Sequence, residues 1–531
     1  MRPPAAHAPT KASSSTLRSR LLVEALLVLA LLVALVVPLQ DGLPDKQTSP
    51  DENAFRFFVQ NFAETGRLSY PEPLSEGTHG LVHPRSAVTN DRGDVVPLAF
   101  PGSLIVDGTV QVLVPGGAKV VGVGCLLASA LLVMGLTRRI AGHAAATAAG
   151  LFLVAIPAFV YYAIFNYSTN IVGLCFFSLL AFFAWATVQE GHARLLLAAG
   201  IAGTMAAVTR YDLLPAVMIV LAVPGLRVLL HAWRGRHFVL APTIALAGLL
   251  PALGIFALNT HLYGSPLSTG YNHLAVEAGE NTDQLSTLSL LTLRGVRFDA
   301  LLDMIRAVYG RSLLPLVALG MVALPFHIRA GLRSPRLQVA MLAAFFASTL
   351  YLLLFNSQLD VYEGFTGKVE SSIVRYLMPT FGLAAVFGAG FFATGAAAPR
   401  TKVLAVVVVF LAMAANLPDT HASIEEKRTT MDQYVTTSQH FQRLGGPDAV
   451  FFSGYWSKII FPERKVATFY GTTNVSDIAD AMVHLNTTGR EVLYVDDGIV
   501  SRTRVAGALD ANGYTLNMVD SVTHTYRLAR S

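Results

Sequence analysis

The sequence predicts a polytopic α-helical membrane protein carrying an α/β domain at its C-terminal end. Three observations carry that reading. Of 531 residues, 53% are hydrophobic and 14% charged, with mean hydropathy +0.52, whereas a soluble chain carries about 25% Asp, Glu, Lys and Arg. Apolar runs of about 20 residues recur, each long enough at 1.5 Å per residue to cross a hydrocarbon core of roughly 30 Å. The charge is also uneven: positions 417–531 hold 13 acidic and 11 basic residues, against 49 charges in the preceding 416 positions.

The apolar runs lie near 20–39, 113–136, 143–163, 171–188, 195–209, 212–231, 238–258, 309–328, 337–355, 376–396 and 402–417. Eleven spans place the termini on opposite sides. Arg2, Lys11, Arg18 and Arg20 precede the first span, and alternate short loops carry Arg138, Arg139, Arg194, Arg227, Arg234, Arg236, Arg329, Arg333, Arg336, Arg400 and Lys402. Positive charge marks the cytoplasmic side, so residues 1–19 form a cytoplasmic tail, and the C-terminal domain lies outside a plasma (inner) membrane. The net charge of +5 belongs largely to these loops and gives no nucleic-acid signal. The first span has the charge and length of a signal-peptide core but no small-x-small site before Gln40-Asp41, so it reads as an uncleaved anchor. Cys125 and Cys175 lie inside apolar runs, which excludes a disulfide framework for the soluble domain.

The transmembrane region, 20–417, has large outside loops at 40–112, 259–308 and 356–375. Beyond it, 418–531 alternates helical patterns at 429–443, 474–487 and 500–511 with strand-like runs at 448–453, 465–470, 491–496 and 513–519, as an α/β domain does. No Gly-rich phosphate loop follows these strands.

The first outside loop holds the chemistry. Pro50 precedes Asp51 and Glu52, and Phe55, Phe58, Val59 and Phe62 follow at helical spacing, describing an amphipathic helix on the membrane surface with both carboxylates in its first turn. A carboxylate there can take a proton from a hydroxyl acceptor and can also bind a divalent cation. It can equally cap the helix and complement its dipole.

The stretch Pro50-Asp51-Glu52-Asn53-Ala54-Phe55-Arg56-Phe57 resembles the Asp-Glu signature of the GT-C glycosyltransferases, among them the protein O-mannosyltransferases and aminoarabinose transferases. Two more segments are similar to that group: 259–271, containing Tyr263-Gly264-Ser265-Pro266 and Thr269-Gly270-Tyr271, and Val374-Arg375-Tyr376-Leu377-Met378-Pro379. Residues of about 20–420 share the resemblance. It implies transfer of one sugar, with inversion, from a polyprenyl-phosphate donor to a glycan, lipid or protein acceptor at the outer face. Asp51 would be the general base, and Glu52 would hold the loop or bind acceptor hydroxyls. Relatives carry a further acidic residue in the short loop after the third span, where this chain has Asn166-Tyr167-Ser168-Thr169-Asn170. No Trp-Trp-Asp-Tyr-Gly motif is present, which argues against en bloc oligosaccharide transfer.

A departing phosphate beside lipid needs cations. Arg375, at the outer end of a span, can bind phosphate bidentately; interfacial snorkelling, with Tyr376 as a belt residue, is the competing role. Arg210 in Thr209-Arg210-Tyr211-Asp212 is a second candidate, against a local pairing with Asp212, and Lys368 a third. Tyr263, Tyr271 and His273 are candidate sugar contacts, though interfacial aromatics need no ligand. His79 and His83 have metal spacing for a helix, yet Gly80 and Pro84 indicate a loop. Arg85, Asp91, Arg92 and Asp94 read as a hairpin-like excursion. A transporter or flippase of lipid-linked sugars would place its charges nearer the bilayer midplane and show repeated halves. A non-catalytic envelope assembly protein leaves the acidic first loop unexplained.

Overall fold

A computed structural model describes the chain except residues 1–13, 41–42, 45, 166–168, 236–240, 278–296, 307–312, 332–334, 358–371 and 394–397. Helix α1 (Ser14–Gln40) opens the membrane region and α2 (Pro50–Thr65) the long segment that follows it. A small antiparallel sheet follows, from β1 (Tyr70–Pro71), β2 (Ala87–Thr89) and β3 (Asp94–Pro97), with strand order β1-β3-β2. The expected hairpin is β2–β3, turning through Asn90-Asp91-Arg92-Gly93. Helix α3 (Pro101–Leu113) leads to the bundle: α4 (Val121–Ala141), α5 (His143–Ala155), α6 (Pro157–Ile164), α7 (Thr169–Glu190), α8 (Ala193–Thr209), α9 (Leu214–Gly235) and α10 (Ala241–Tyr263). Next come α11 (Gly270–Glu277), α12 (Phe298–Met304), α13 (Leu314–Gly331), α14 (Arg336–Asn356), α15 (Ser372–Tyr376), α16 (Met378–Ala389), α17 (Pro399–Ala414) and α18 (Leu417–Leu444).

Each apolar run is helical over most of its described length. Among the described residues, six helices are long and apolar enough to cross a membrane, a bent pair supplies a seventh, and four further apolar helices are shorter. The protein is a multi-pass membrane protein. The bend of 56° separates α5 from α6, because Pro157 cannot donate to the helix ladder and pushes Ile156 into extended backbone. Helix α6 is buried throughout.

Helix α2 is amphipathic as expected, but its apolar face meets protein rather than lipid. Phe55, Phe58 and Val59 are buried in one core with Val88, Val95, Val96, Leu104 and Tyr263, with α3 and the hairpin supplying the apolar partners. Asp107 of α3 is 3% exposed, and burial raises its carboxyl from 3.8 to about 8. The unfolded chain ionises this group near pH 4, so from there to about pH 8 the folded state holds one more proton and stability falls as pH rises. The melting temperature should therefore decline from pH 5 to 8 less steeply for Asp107→Asn than for wild type; parallel slopes would place that proton elsewhere.

Past α18, β4 (Val450–Phe452), α19 (Ser457–Ile460), β5 (Lys465–Ala467), α20 (Val475–Thr487), β6 (Val492–Val495), α21 (Arg502–Asp510), β7 (Tyr514–Asp520) and β8 (Thr525–Arg530) build the α/β domain. Its sheet has the order β5-β4-β6-β8-β7. Strands β5, β4 and β6 are parallel, and β8 and β7 antiparallel. Strand β8 is an addition to the sequence reading. Leu81 and Val82, between β1 and β2, are buried in the core of this domain.

Candidate active site

Pro50 occupies the first turn of α2, and Ser49, before it, makes no side-chain cap. Asp51 and Glu52 sit in that first turn, where helix-terminal amides favour negative charge. Their side chains diverge. Asp51 accepts a hydrogen bond of 2.5 Å from the Ser86 hydroxyl. Ser86 is buried and has φ 68°, a left-handed backbone that costs of order 1–3 kcal/mol in a non-glycine residue; its carbonyl is tied to the Leu98 amide across the hairpin. Glu52 instead accepts from Lys427 of α18 at 2.9 and 3.2 Å, and that ammonium lies 4.0 Å from the centre of the Phe165 ring. The two carboxylates do not converge, and among the described residues no group of three or more His, Cys, Asp or Glu could hold a metal ion.

Arg375 lies near the end of α15, beside the start of α16. Its guanidinium lies 5.0 Å from the Tyr376 ring centre and donates to the Tyr376 hydroxyl at 3.3 Å, while its buried Nε has no partner among the described residues. Burial opposes this charge, but Tyr376, Tyr162 and Asp51 outweigh that, so Arg375 stays a cation. Arg210 is filled by comparison. It forks onto Asp212, donates to Asn170, and reaches the Arg375 carbonyl at 3.4 Å, with its guanidinium 4.5 Å from the Tyr376 ring centre. The local Arg210–Asp212 pair is present, and Arg210 braces the Arg375-Tyr376 step rather than offering an open fork. Asn170, in the stretch where the resemblance leads one to expect an acid and in the first turn of α7, is part of that brace.

Tyr271 is coupled electrostatically to both Asp51 and Arg375. Burial first, then Tyr376 and Asp51, hold its phenol above the ordinary range, while Arg375 pulls the other way. Its neighbour Gly270 is required: a Cβ there would come 2.1 Å from the Leu98 carbonyl oxygen. Tyr263 lies deeper, 1% exposed, with its hydroxyl donated to the Pro97 carbonyl at 2.8 Å, so it anchors the hairpin. His273 reaches the Tyr263 carbonyl at 3.4 Å and lines a cleft of about 770 Å³ with His79, Thr89, Asp91, Ser268 and Asn272. His83 points elsewhere, its Nδ1 donating to the Pro84 carbonyl at 2.9 Å. Lys368 falls outside the described residues.

Asp51, Tyr271, Tyr376, Arg375 and Arg210 thus come together from four separate stretches of sequence. Sequence reasoning does not find Ser86 or Lys427, whose contacts span 35 and 375 positions and leave no local pattern.

No family profile matches the sequence, and no curated protein does. Solved structures match it over nearly its full length. ArnT from Cupriavidus metallidurans bound to undecaprenyl phosphate superimposes with TM-score 0.54 at 13% identity, covering 97% of this chain and 98% of that one. The archaeal oligosaccharyltransferase AglB from Archaeoglobus fulgidus, in complex with an inhibitory peptide and a dolichol-phosphate, does so with TM-score 0.53 at 11% identity, over 98% of this chain and 75% of that one. Over nearly its whole length the chain therefore shares the fold of these two proteins.

Proposed function

We propose that the protein is an inverting glycosyltransferase that moves a single sugar from a polyprenyl-phosphate donor to a hydroxyl of a glycan, lipid or protein acceptor at the outer face of the plasma membrane. In this reading the N-terminus is cytoplasmic and the C-terminal domain extracytoplasmic. The observation that supports it is the electrostatic coupling of Asp51 and Arg375 to each other and to Tyr271, on a fold whose solved neighbours hold undecaprenyl phosphate and dolichol-phosphate.

The Asp51 carboxylate takes the proton of the acceptor hydroxyl as its oxygen attacks the anomeric carbon. The bond from that carbon to the phosphate oxygen breaks on the opposite face, and its electron pair leaves with the lipid phosphate. Negative charge grows on that phosphate, and the Arg375 guanidinium, with an unfilled N–H, receives it. Ser86 fixes the carboxylate by donating to one oxygen and leaving the other for the acceptor. Tyr271, held protonated by its burial, is a hydrogen-bond donor between the two. The polar cleft beside His273 offers hydroxyl-binding groups for the acceptor.

The test is binding of undecaprenyl phosphate to the purified protein. A charge-assisted bidentate contact is worth about 1.5–3 kcal/mol, so Arg375→Ala should weaken binding roughly 10- to 100-fold. Unchanged affinity would return Arg375 to the role of a belt residue. Comparing lipid-linked sugars and surface glycans of cells with and without the protein would name the sugar.

A further inference from the structure

We infer that the C-terminal domain is a clamp on the base, with Lys427 and Lys458 as positioning residues for Asp51. The inference rests on the transferase reading above and gives the domain a part in the reaction. The residues leading into α2 have little structure of their own: Asn53 closes a loop by accepting from the Gln47 amide at 2.9 Å and donating to its carbonyl at 2.7 Å. The partners that hold this loop on the side opposite the hairpin come from beyond residue 417. Lys458 donates to the Thr48 carbonyl at 3.2 Å, just ahead of α2, and is itself fixed by the Tyr434 hydroxyl at 3.0 Å and the Tyr455 ring at 4.0 Å. Lys427 binds Glu52, the residue after the base. In the other direction, Lys46 donates to the Phe461 carbonyl at 2.8 Å and to Glu463 at 2.5 Å, and Phe57 meets Phe461 edge-on, with ring centres 4.7 Å apart.

The chemistry explains why lysines suit this task. Glu52 is 14% exposed in its side chain and Lys427 9%, so removing either would leave the other's charge unpaired away from water. Glu52 is thus committed to Lys427, while Asp51 is held by Ser86 and is coupled electrostatically to Arg375. A proton-accepting oxygen has to stay within hydrogen-bond reach of the acceptor, and a displacement of about 1 Å costs on the order of 100-fold.

Full-length protein in detergent or proteoliposomes tests this by three readouts: hydrogen–deuterium exchange of residues 46–56, affinity for undecaprenyl phosphate, and sugar transfer scored as restored surface glycan in cells lacking the native protein. In Lys427→Ala, exchange over that segment should rise at least tenfold and transfer fall at least tenfold, with undecaprenyl phosphate affinity within twofold of wild type; Lys427→Arg should restore both. Lys458→Met keeps the apolar stem, guards against a general folding defect, and should act in the same direction. Unaltered exchange overturns the clamp, and so does faster exchange with undiminished transfer. Failure of the transferase reading is seen separately, as transfer that survives loss of the Asp51 carboxylate.

Discussion

Asp51→Asn is expected to lower sugar transfer by 10²- to 10⁴-fold, the usual contribution of a positioned general base, while the protein still folds and still binds undecaprenyl phosphate. The amide keeps the shape of the carboxylate, and its oxygen can still accept from Ser86, so packing is preserved while the proton acceptor is lost. Binding survives because the phosphate is held from the other side, at Arg375. Glu52→Gln should behave differently. It leaves Lys427 without its counter-charge and should act through the segment's mobility, a defect that the exchange measurement sees and that Asp51→Asn does not share. Transfer at the wild-type rate in Asp51→Asn would sink the catalytic assignment.

Arg210→Met is expected to be the most destabilising single change at the site. Arg210 is 2% exposed and its partner Asp212 12% in the side chains, and removing one member of a buried pair leaves a bare charge at a cost of about 3–5 kcal/mol. Asn170 loses its donor at the same time. Because most of that cost is the stranded carboxylate, the double variant Arg210→Met, Asp212→Leu should recover much of the melting temperature. A single variant that melts with wild type would show that the pair contributes nothing. Loss of donor binding without loss of stability would make Arg210 a phosphate ligand in place of a brace.

These expectations separate what is legible in the sequence from what is not. Spans are legible because an apolar run of the right length is a local property, whereas the run at 143–163, read as one span, is bent by 56° where Pro157 interrupts it. The α/β domain shows through its alternating patterns, except β8, whose Arg527 and Arg530 interrupt the apolar signal and which is recognisable only once β6 and β7 flank it. The spacing of its phenylalanines identifies α2 and its apolar face, but spacing does not say whether that face meets lipid or protein. Asp51 and Arg375 are visible through short motifs. Ser86, Asn170 and Lys427 are not, since a serine, an asparagine and a helix-surface lysine have no signature apart from the partners that tertiary structure brings to them.

Leu81 and Val82, sunk in the core of the distant α/β domain, have a consequence for how the chain is made. Thr468 donates to the His83 carbonyl across 385 positions. At about 5–20 residues per second, the ribosome takes roughly 20–80 s to cover that interval. During that time Leu81 and Val82 wait without the core that covers them. This packing is therefore completed late: a nascent chain can make every apolar helix and still lack the partners of its early loop until the C-terminal domain emerges and closes over it.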